Sequence, residues 1–414
     1  MRLTPLILAA LVNESLGFSN LASPSVKTTL RMRVVSINNI VSSQSAPSTP
    51  FVVPRELSAA DAATLHVLNP PTYSSVPIIR AFGVVSLFAA WASQAKMNTV
   101  LAAAWEAVRT TAWFRHDMFE PVVAVSSFFV FIHAWLGVDW LASSGRLPGL
   151  RKYQIVPKAL IVENGGDGTE RSRQRLTRWH YGWYKELAVY LLPLWALASF
   201  TDAFAPRRRA LAMAAPTAAR VAKEILGGLF FYDLFFAVTH AGLHRLRLPS
   251  WVPGGWGVAS TSSSSSTSSR RSPSPVFQRL HGKHHANADI RACDTVRLTT
   301  VEETIDVVCS IAALRVMGAH PLSRSLYNVV IIFLLAELHS GYDMPWSPQN
   351  VVPGGLVAGS RRHHAHHADG AVFYQKFLTY FDDAFGFTYR NRRGGEGSKQ
   401  GEATHTAEAK ALVA

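Results

Sequence analysis

Apolar runs recur along this chain, separated by shorter polar and basic stretches. They occupy residues 79–91 (extending weakly toward 108), 121–138, 187–200, 225–239, 307–319 and 327–338. Most are shorter than the roughly twenty apolar residues that cross a bilayer core alone, and only 121–138 is a strong span. The last two runs are separated by His320-Pro321, which predicts a hairpin that dips in and returns. Trp135, Trp140, Tyr181, Trp183 and Tyr184 flank the runs, as aromatic side chains do at membrane interfaces. The pattern predicts an all-α, multi-pass membrane helical bundle of about four crossings, with a helical cap at one end.

Between and beyond the runs the composition changes. Residues 1–17, with Arg2 ahead of the apolar Leu6 to Val12, read as a signal-like segment. Residues 18–75 read as a disordered or transit-like leader, since Ser15 to Arg55 contains no acid. This two-part leader predicts either a plastid membrane or, as a plain N-terminal tail, the endoplasmic reticulum membrane. Residues 76–224 hold the N-terminal membrane helices and loops, and 225–390 the chemistry-bearing part. The serine-rich stretch 254–275 cannot bury a core and predicts a flexible insertion, while 391–414 reads as a disordered tail.

Composition agrees with a membrane setting: 48% of the 414 residues are hydrophobic and 16% are charged, and the mean hydropathy is +0.11. A formal charge of +14 raises the question of nucleic acid. The basic residues lie instead in loops between apolar runs, at Lys152, Arg171 to Arg178, Arg207 to Arg209 and Arg390 to Arg393, which suits cytosolic loops and anionic headgroups. Two cysteines, Cys293 and Cys309, leave no disulfide framework and no cysteine-ligated metal site.

The candidate chemistry lies in the histidines. His240-x-x-x-His244 is followed by His281-x-x-His284-His285, a lone His339, and His363-x-x-His366-His367. On a helix, an i, i+3, i+4 triplet puts three imidazoles on one face and an i, i+4 pair does so for two. These nine residues supply enough nitrogen for two ions, and imidazole suits iron, zinc, copper or nickel better than magnesium or calcium. An even number of crossings between the groups brings all of them to one side. Each ligating imidazole needs an acceptor on its other nitrogen. Asp233, two helical turns before His240, is a candidate, as are Asp343 and Asp382. His364 is expected beside the ligands or exposed, and His133 to be a polar packing residue. His66, His116, His180, His320 and His405 read as ordinary.

Residues 225 to 390 resemble the fatty acid hydroxylase and sterol desaturase superfamily of membrane-bound non-haem di-iron enzymes. The likeness runs through Asp233-Leu-Phe-Phe-Ala-Val-Thr-His240-Ala-Gly-Leu-His244, Leu280-His281-Gly-Lys-His284-His285, Glu337-Leu-His339-Ser-Gly-Tyr-Asp343-Met-Pro345-Trp346, His363-His-Ala-His366-His367 and Phe381-Asp382-Asp383-Ala-Phe-Gly386. The string from His339 is similar to the sterol C4-methyl oxidase and cholesterol 25-hydroxylase-like branches. Ala241 stands where the family often has Arg, and the serine-rich insertion separates motifs that usually lie close together.

The resemblance implies two iron ions held by the nine histidines, O2 as co-substrate and a sterol or fatty-acyl lipid as substrate, with no catalytic residue beyond the metal centre. Electrons must come from an external carrier, because no His-Pro-Gly-Gly haem motif and no Gly-x-Gly-x-x-Gly is present. Cytochrome b5 with its reductase, or ferredoxin in a plastid, is the expected donor. A desaturase would use the same irons. A histidine-rich protein that binds or transports zinc is the alternative of another class, and it predicts polar residues lining several spans, of which few are visible.

Overall fold

The computed structural model describes residues 59–156, 168–200, 213–245, 275–286 and 290–389. The signal-like segment, the serine-rich insertion before residue 275 and the C-terminal tail lie outside the described residues. Eleven helices are numbered here, shorter turns being left out: α1 Ala59–Leu68, α2 Val76–Ala92, α3 Gln94–Arg109, α4 Phe119–Ser143, α5 Gly168–Phe200, α6 Ala218–Arg245, α7 Pro275–Leu280, α8 Thr300–Val316, α9 Pro321–Leu338, α10 Gly359–Asp369 and α11 Tyr380–Ala384. Among the described residues there is no β-strand, only two isolated bridges. The chain is an all-α membrane protein.

Five helices form the bundle. The start of α9 meets the start of α4, where Arg324 Nε and Nη2 donate to the two oxygens of Glu120 at 2.9 and 2.8 Å. Further along, Phe131 meets Phe333 with ring centroids 5.3 Å apart, so α4 and α9 run parallel. α6 runs the same way, since Glu224 near its start accepts from the His320 amide and Gly228 lies against Tyr327. α5 and α8 run opposite: Tyr184 bonds His133 and Tyr190 packs on Phe128, while Tyr232 of α6 donates to Asp306 of α8. The C-terminal ends of α4, α6 and α9 therefore lie at one end of the bundle, with the N-terminal end of α8. The expected hairpin is α8 and α9, joined at His320, whose Nδ1 accepts the Leu322 amide and caps α9 just before Pro321.

Among the described residues two helices, α4 and α9, are long and apolar enough to cross a membrane, or three spans if α2 and α3, bent by 72°, count as one. About four crossings were expected. The difference comes from the runs at 187–200, 225–239 and 307–319, whose helices carry Lys185 and Glu186, Glu224 and Asp233, and Glu302, Glu303 and Asp306. Most of those charges turn into the bundle, where they are buried. α2 differs from all of these. None of its residues is buried, and Ile78, Phe82, Leu87, Phe88 and Trp91 stand exposed. A helix apolar on every side has lipid as its natural surroundings.

The leader expected through residue 75 ends earlier, because 59–68 form α1. Its alanine-rich sequence favours helix, and Ala63 is buried against Ile155 and Val156. His66 Nε2 lies 3.1 Å from Asp343 Oδ2, and the Tyr73 hydroxyl donates to the same oxygen at 3.2 Å. Reading His66 as ordinary missed this tie between the N-terminal segment and the end of the bundle.

Candidate metal centre

Four stretches of chain bring the nine histidines together at the end of the bundle where α6 and α9 finish. His240 and His244 sit one turn apart near the C-terminus of α6, and His339 is the residue that caps α9. His363, His366 and His367 lie on α10, which ends at Gly370; its φ of +71° is strained for any residue with a side chain, and its amide bonds the His366 carbonyl at 2.6 Å. The triplet His281, His284 and His285 was expected on a helix. It follows α7 as a turn and a short 3-10 segment, with the amides of His281 and Gly282 both reaching the Phe277 carbonyl.

The rings form two groups. His240, His244, His281, His285 and His366 make one, and His284, His339, His363 and His367 the other; within each, one nitrogen per ring lies within 4.8 Å of all the rest. Neither triplet stays together. On α10, His363 and His367 share a face and one group, while His366 turns to the other. The four-histidine group is buried throughout, whereas His244 and His285 of the five-histidine group are half-buried.

Outer contacts turn the rings inward. His240 Nδ1 donates to the Tyr374 carbonyl at 2.9 Å, His366 Nδ1 to that of Val372 at 2.7 Å, and His339 Nδ1 to that of Leu335 at 2.8 Å. His281 Nδ1 lies 2.7 Å from Glu302 Oε1. With Nδ1 carrying the proton, Nε2 presents a lone pair. Those atoms meet at 2.9 Å for His240 and His281, 3.2 Å for His240 and His366, 2.9 Å for His339 and His363, and 3.4 Å for His284 and His339. Facing lone pairs repel, and a cation between them removes the conflict. Imidazole nitrogens about 2.0–2.1 Å from a first-row ion stand about 2.9 Å apart in an octahedral arrangement and about 3.4 Å apart in a tetrahedral one. The residues fit a metal in each group.

Electrostatics keep these rings neutral. Burial pushes His367 well below the ordinary histidine range, and His285 and His284 beside it push the same way. Burial likewise lowers His366 to about 4, partly offset by its bond to Val372. Below the five-histidine group, Lys376 Nζ sits 3.5 Å from the Phe236 ring centroid and 3.0 Å from Asp306 Oδ1. A buried cation there adds to the cost of charging any nearby imidazole.

The three aspartates act at one remove from where they were expected. Asp233 touches none of the nine rings; it accepts the amides of Lys376, Phe377 and Leu378 and the side chain of Gln375. Asp382 accepts the amides of Tyr374 and Gln375 at 2.9 and 3.1 Å. Together they pin the loop whose Tyr374 carbonyl orients His240. Asp343 serves His66, Tyr73, Gln349 and Asn350 instead of a ligand. The reason is shared: each carboxylate is taken up by donors other than the ligand rings, from the 375–378 loop for Asp233, from Tyr374 and Gln375 for Asp382, and from His66, Tyr73, Gln349 and Asn350 for Asp343. His364 is buried and belongs to neither group. His133 bonds the Phe129 carbonyl and Tyr184 among aromatic rings, a packing residue as read. Glu302 was missed. Its only signal was a group of acids, Glu302, Glu303 and Asp306, at the start of a helix that continues apolar.

Comparison with known proteins falls on the same residues. Residues 225–387 match the model of the fatty acid hydroxylase family. The chain is 25% identical to cholesterol 25-hydroxylase of Rattus norvegicus over 287 residues, which is 68% of this chain and 80% of the relative. With cholesterol 25-hydroxylase of Homo sapiens it shares 24% over 284 residues, 68% of this chain and 88% of the relative. A protein described as a methylsterol monooxygenase in Dictyostelium discoideum is 30% identical over 115 residues, 27% of this chain and 40% of that one. No solved structure matches the chain significantly.

Proposed function

We propose that the protein is a membrane-bound di-iron oxygenase that hydroxylates, or oxidises a methyl group of, a sterol or fatty-acyl lipid. The observation that carries this is the division of nine inward-turned imidazoles into two adjacent groups. An unactivated C–H bond is beyond acid–base chemistry, and zinc has no redox chemistry to offer. Iron, if bound, would pass on electrons from an external carrier and supply the O2 chemistry that inserts one oxygen into the lipid. The overall balance is lipid-H, O2, two electrons and two protons giving lipid-OH and water.

The chain's own part is to position and exclude. Backbone carbonyls and Glu302 fix which ring nitrogen faces inward. Low basicity keeps those nitrogens available at neutral pH. Lys376, Asp306 and Tyr232 form a buried polar floor under the five-histidine group. Whether hydroxylation or desaturation follows depends on how the lipid is held once its first hydrogen is gone.

Electrons come, in this reading, from cytochrome b5 and its reductase at the endoplasmic reticulum, or from ferredoxin in a plastid membrane. The half-buried His244 and His285 mark the approach, and exposed Arg245 and Arg279 lie beside it in sequence. Arg361 bonds Asn350, and Arg362 lies over the Phe373 ring. Charge reversal at Arg279 should slow reduction by an acidic carrier, as steering predicts.

The test is elemental analysis of the purified chain together with lipid analysis under 18O2. Iron near two per chain and a labelled oxygen in one lipid support the reading. Zinc alone, with no lipid changed when the protein is removed from cells, would favour metal buffering or transport.

A further inference from the structure

Seven of the nine histidines are buried, and only His244 and His285 keep surface of their own. Even there the Nε2 atoms are screened: both are buried and neither has a hydrogen-bond partner. One side chain does the screening. The Phe277 ring lies 4.7 Å from the His244 ring, 5.5 Å from that of His285 and 5.4 Å from that of His281, centre to centre. It is itself half-buried, so part of it faces outward while the rest faces three imidazoles of the five-histidine group. The other directions are taken. Tyr374 packs on His244 and His366 at 5.3 and 5.6 Å, Phe236 on His240 at 5.1 Å, and Glu302 backs His281 at 2.7 Å. All three of these residues are buried. On its inner side His285 stacks on His367 of the other group, with centroids 4.4 Å apart.

We infer that Phe277 is the door of the five-histidine group: an ion enters and leaves between His244 and His285 when this ring turns aside, and those two imidazoles grip it first. The inference rests on the reading of the five rings as a metal site and is independent of the lipid oxidised. A buried metal site needs an entry path, and here only the half-buried pair under Phe277 offers one. An apolar ring suits the position. It has no lone pair to compete with the ligands and no charge to repel a cation, and its face attracts one. The door swings on its side chain and not on its backbone. The Phe277 carbonyl accepts the amides of His281 and Gly282, both at 2.8 Å, which ties its main chain to the segment carrying His281, His284 and His285. Rotation of a partly exposed side chain is fast and leaves every ligand where it stands.

Two measurements on the purified full chain in detergent test this, and neither needs turnover. In the first, the metal-free chain is treated with diethylpyrocarbonate, which acylates accessible imidazole nitrogens, and each histidine is read by mass spectrometry. Phe277→Ala should raise modification of His244 and His285 at least about tenfold, the smallest gain expected when three ring contacts are lost. His284, His339 and His363 should stay as protected as before. Phe277→Tyr, which keeps the ring, should react like the unchanged chain. In the second, Co(II) is mixed with the metal-free chain and followed by its visible absorption. In Phe277→Ala, uptake and chelator-driven release should both quicken by a similar factor with the amount finally bound unchanged, because a door alters rates and not affinity. Modification that spreads to the four-histidine rings, or release that quickens while uptake does not, would make Phe277 a brace of the site and overturn the inference. Equal rates in all three chains would also overturn it, and would leave the metal reading standing. Absence of Co(II) binding in every chain would refute the metal reading itself and take the door with it.

Discussion

The two histidine groups are built differently although they share two segments of chain, 281–285 and 363–367. The four-histidine group is buried throughout and closes around the end of α9, with His339 as the residue that caps the helix. The five-histidine group has one more ring, two half-buried members, and a flank made by the loop 372–378. The orienting acceptors differ accordingly. His339 is turned by a carbonyl of its own helix, whose position rests on helical hydrogen bonding. His240 and His366 are turned by carbonyls of a loop, which Asp233 and Asp382 must hold in place. Burial protects one group, and a network of carboxylates maintains the other. The open group is the one that solvent reaches, and the closed one is shielded on every ring.

The comparison can be broken at several strengths. Removing a ligand is the most severe: His363→Ala and His366→Ala should each abolish product formation while leaving membrane insertion intact, and near-normal turnover in either would refute its role. A water-soluble chelator should then separate the groups by access, with iron lost in two phases of similar amplitude as the half-buried group empties first. A single phase would mean that both are equally reachable. Glu302→Gln should lower metal affinity or activity about 10–100-fold, the usual cost of losing such a partner, and the effect should fall on the five-histidine group alone. Asp233→Ala should cost on the order of 3 kcal/mol in stability, since it leaves buried amides of 376–378 without their acceptor; denaturant titration in detergent reads this.

The smallest effect concerns pH. Burial raises Asp382 to about 7 against the pull of the Gln375 and Tyr374 amides. Between its ordinary value of 3.8 and about 7 the folded chain keeps a proton that the unfolded chain has released, so stability falls as pH rises through that window. Asp382→Asn should flatten that slope, and an unchanged slope would assign it to other groups.

Much of this was legible in the residues. The nine histidines stood out by spacing alone, and the apolar pattern correctly put them on one end of an all-helical bundle. What spacing could not show was how they divide. His284 and His285 are neighbours, and only the turn after α7 decides that they face different groups. The acceptors were largely invisible because three of the four are backbone carbonyls, which every residue has. Asp233 was noticed for being a carboxylate in an apolar helix, and its burial is real. Its partners lie more than a hundred residues away, beyond any local pattern. Apolarity alone does not give the crossing number, for a related reason. A helix buried among other helices and one facing lipid both read as apolar, and the scattered acids of α6 and α8 are what tell them apart.

Neighbouring histidines that face different groups have one further consequence. His284 with His285, and His366 with His367, each span from one group to the other across a single peptide unit, whose Cα atoms are fixed about 3.8 Å apart. The separation of the two groups of rings is thereby ruled off in units of covalent backbone, twice over. Breathing of the bundle can tilt that ruler but cannot stretch it, and inserting one residue inside either pair would change the gauge.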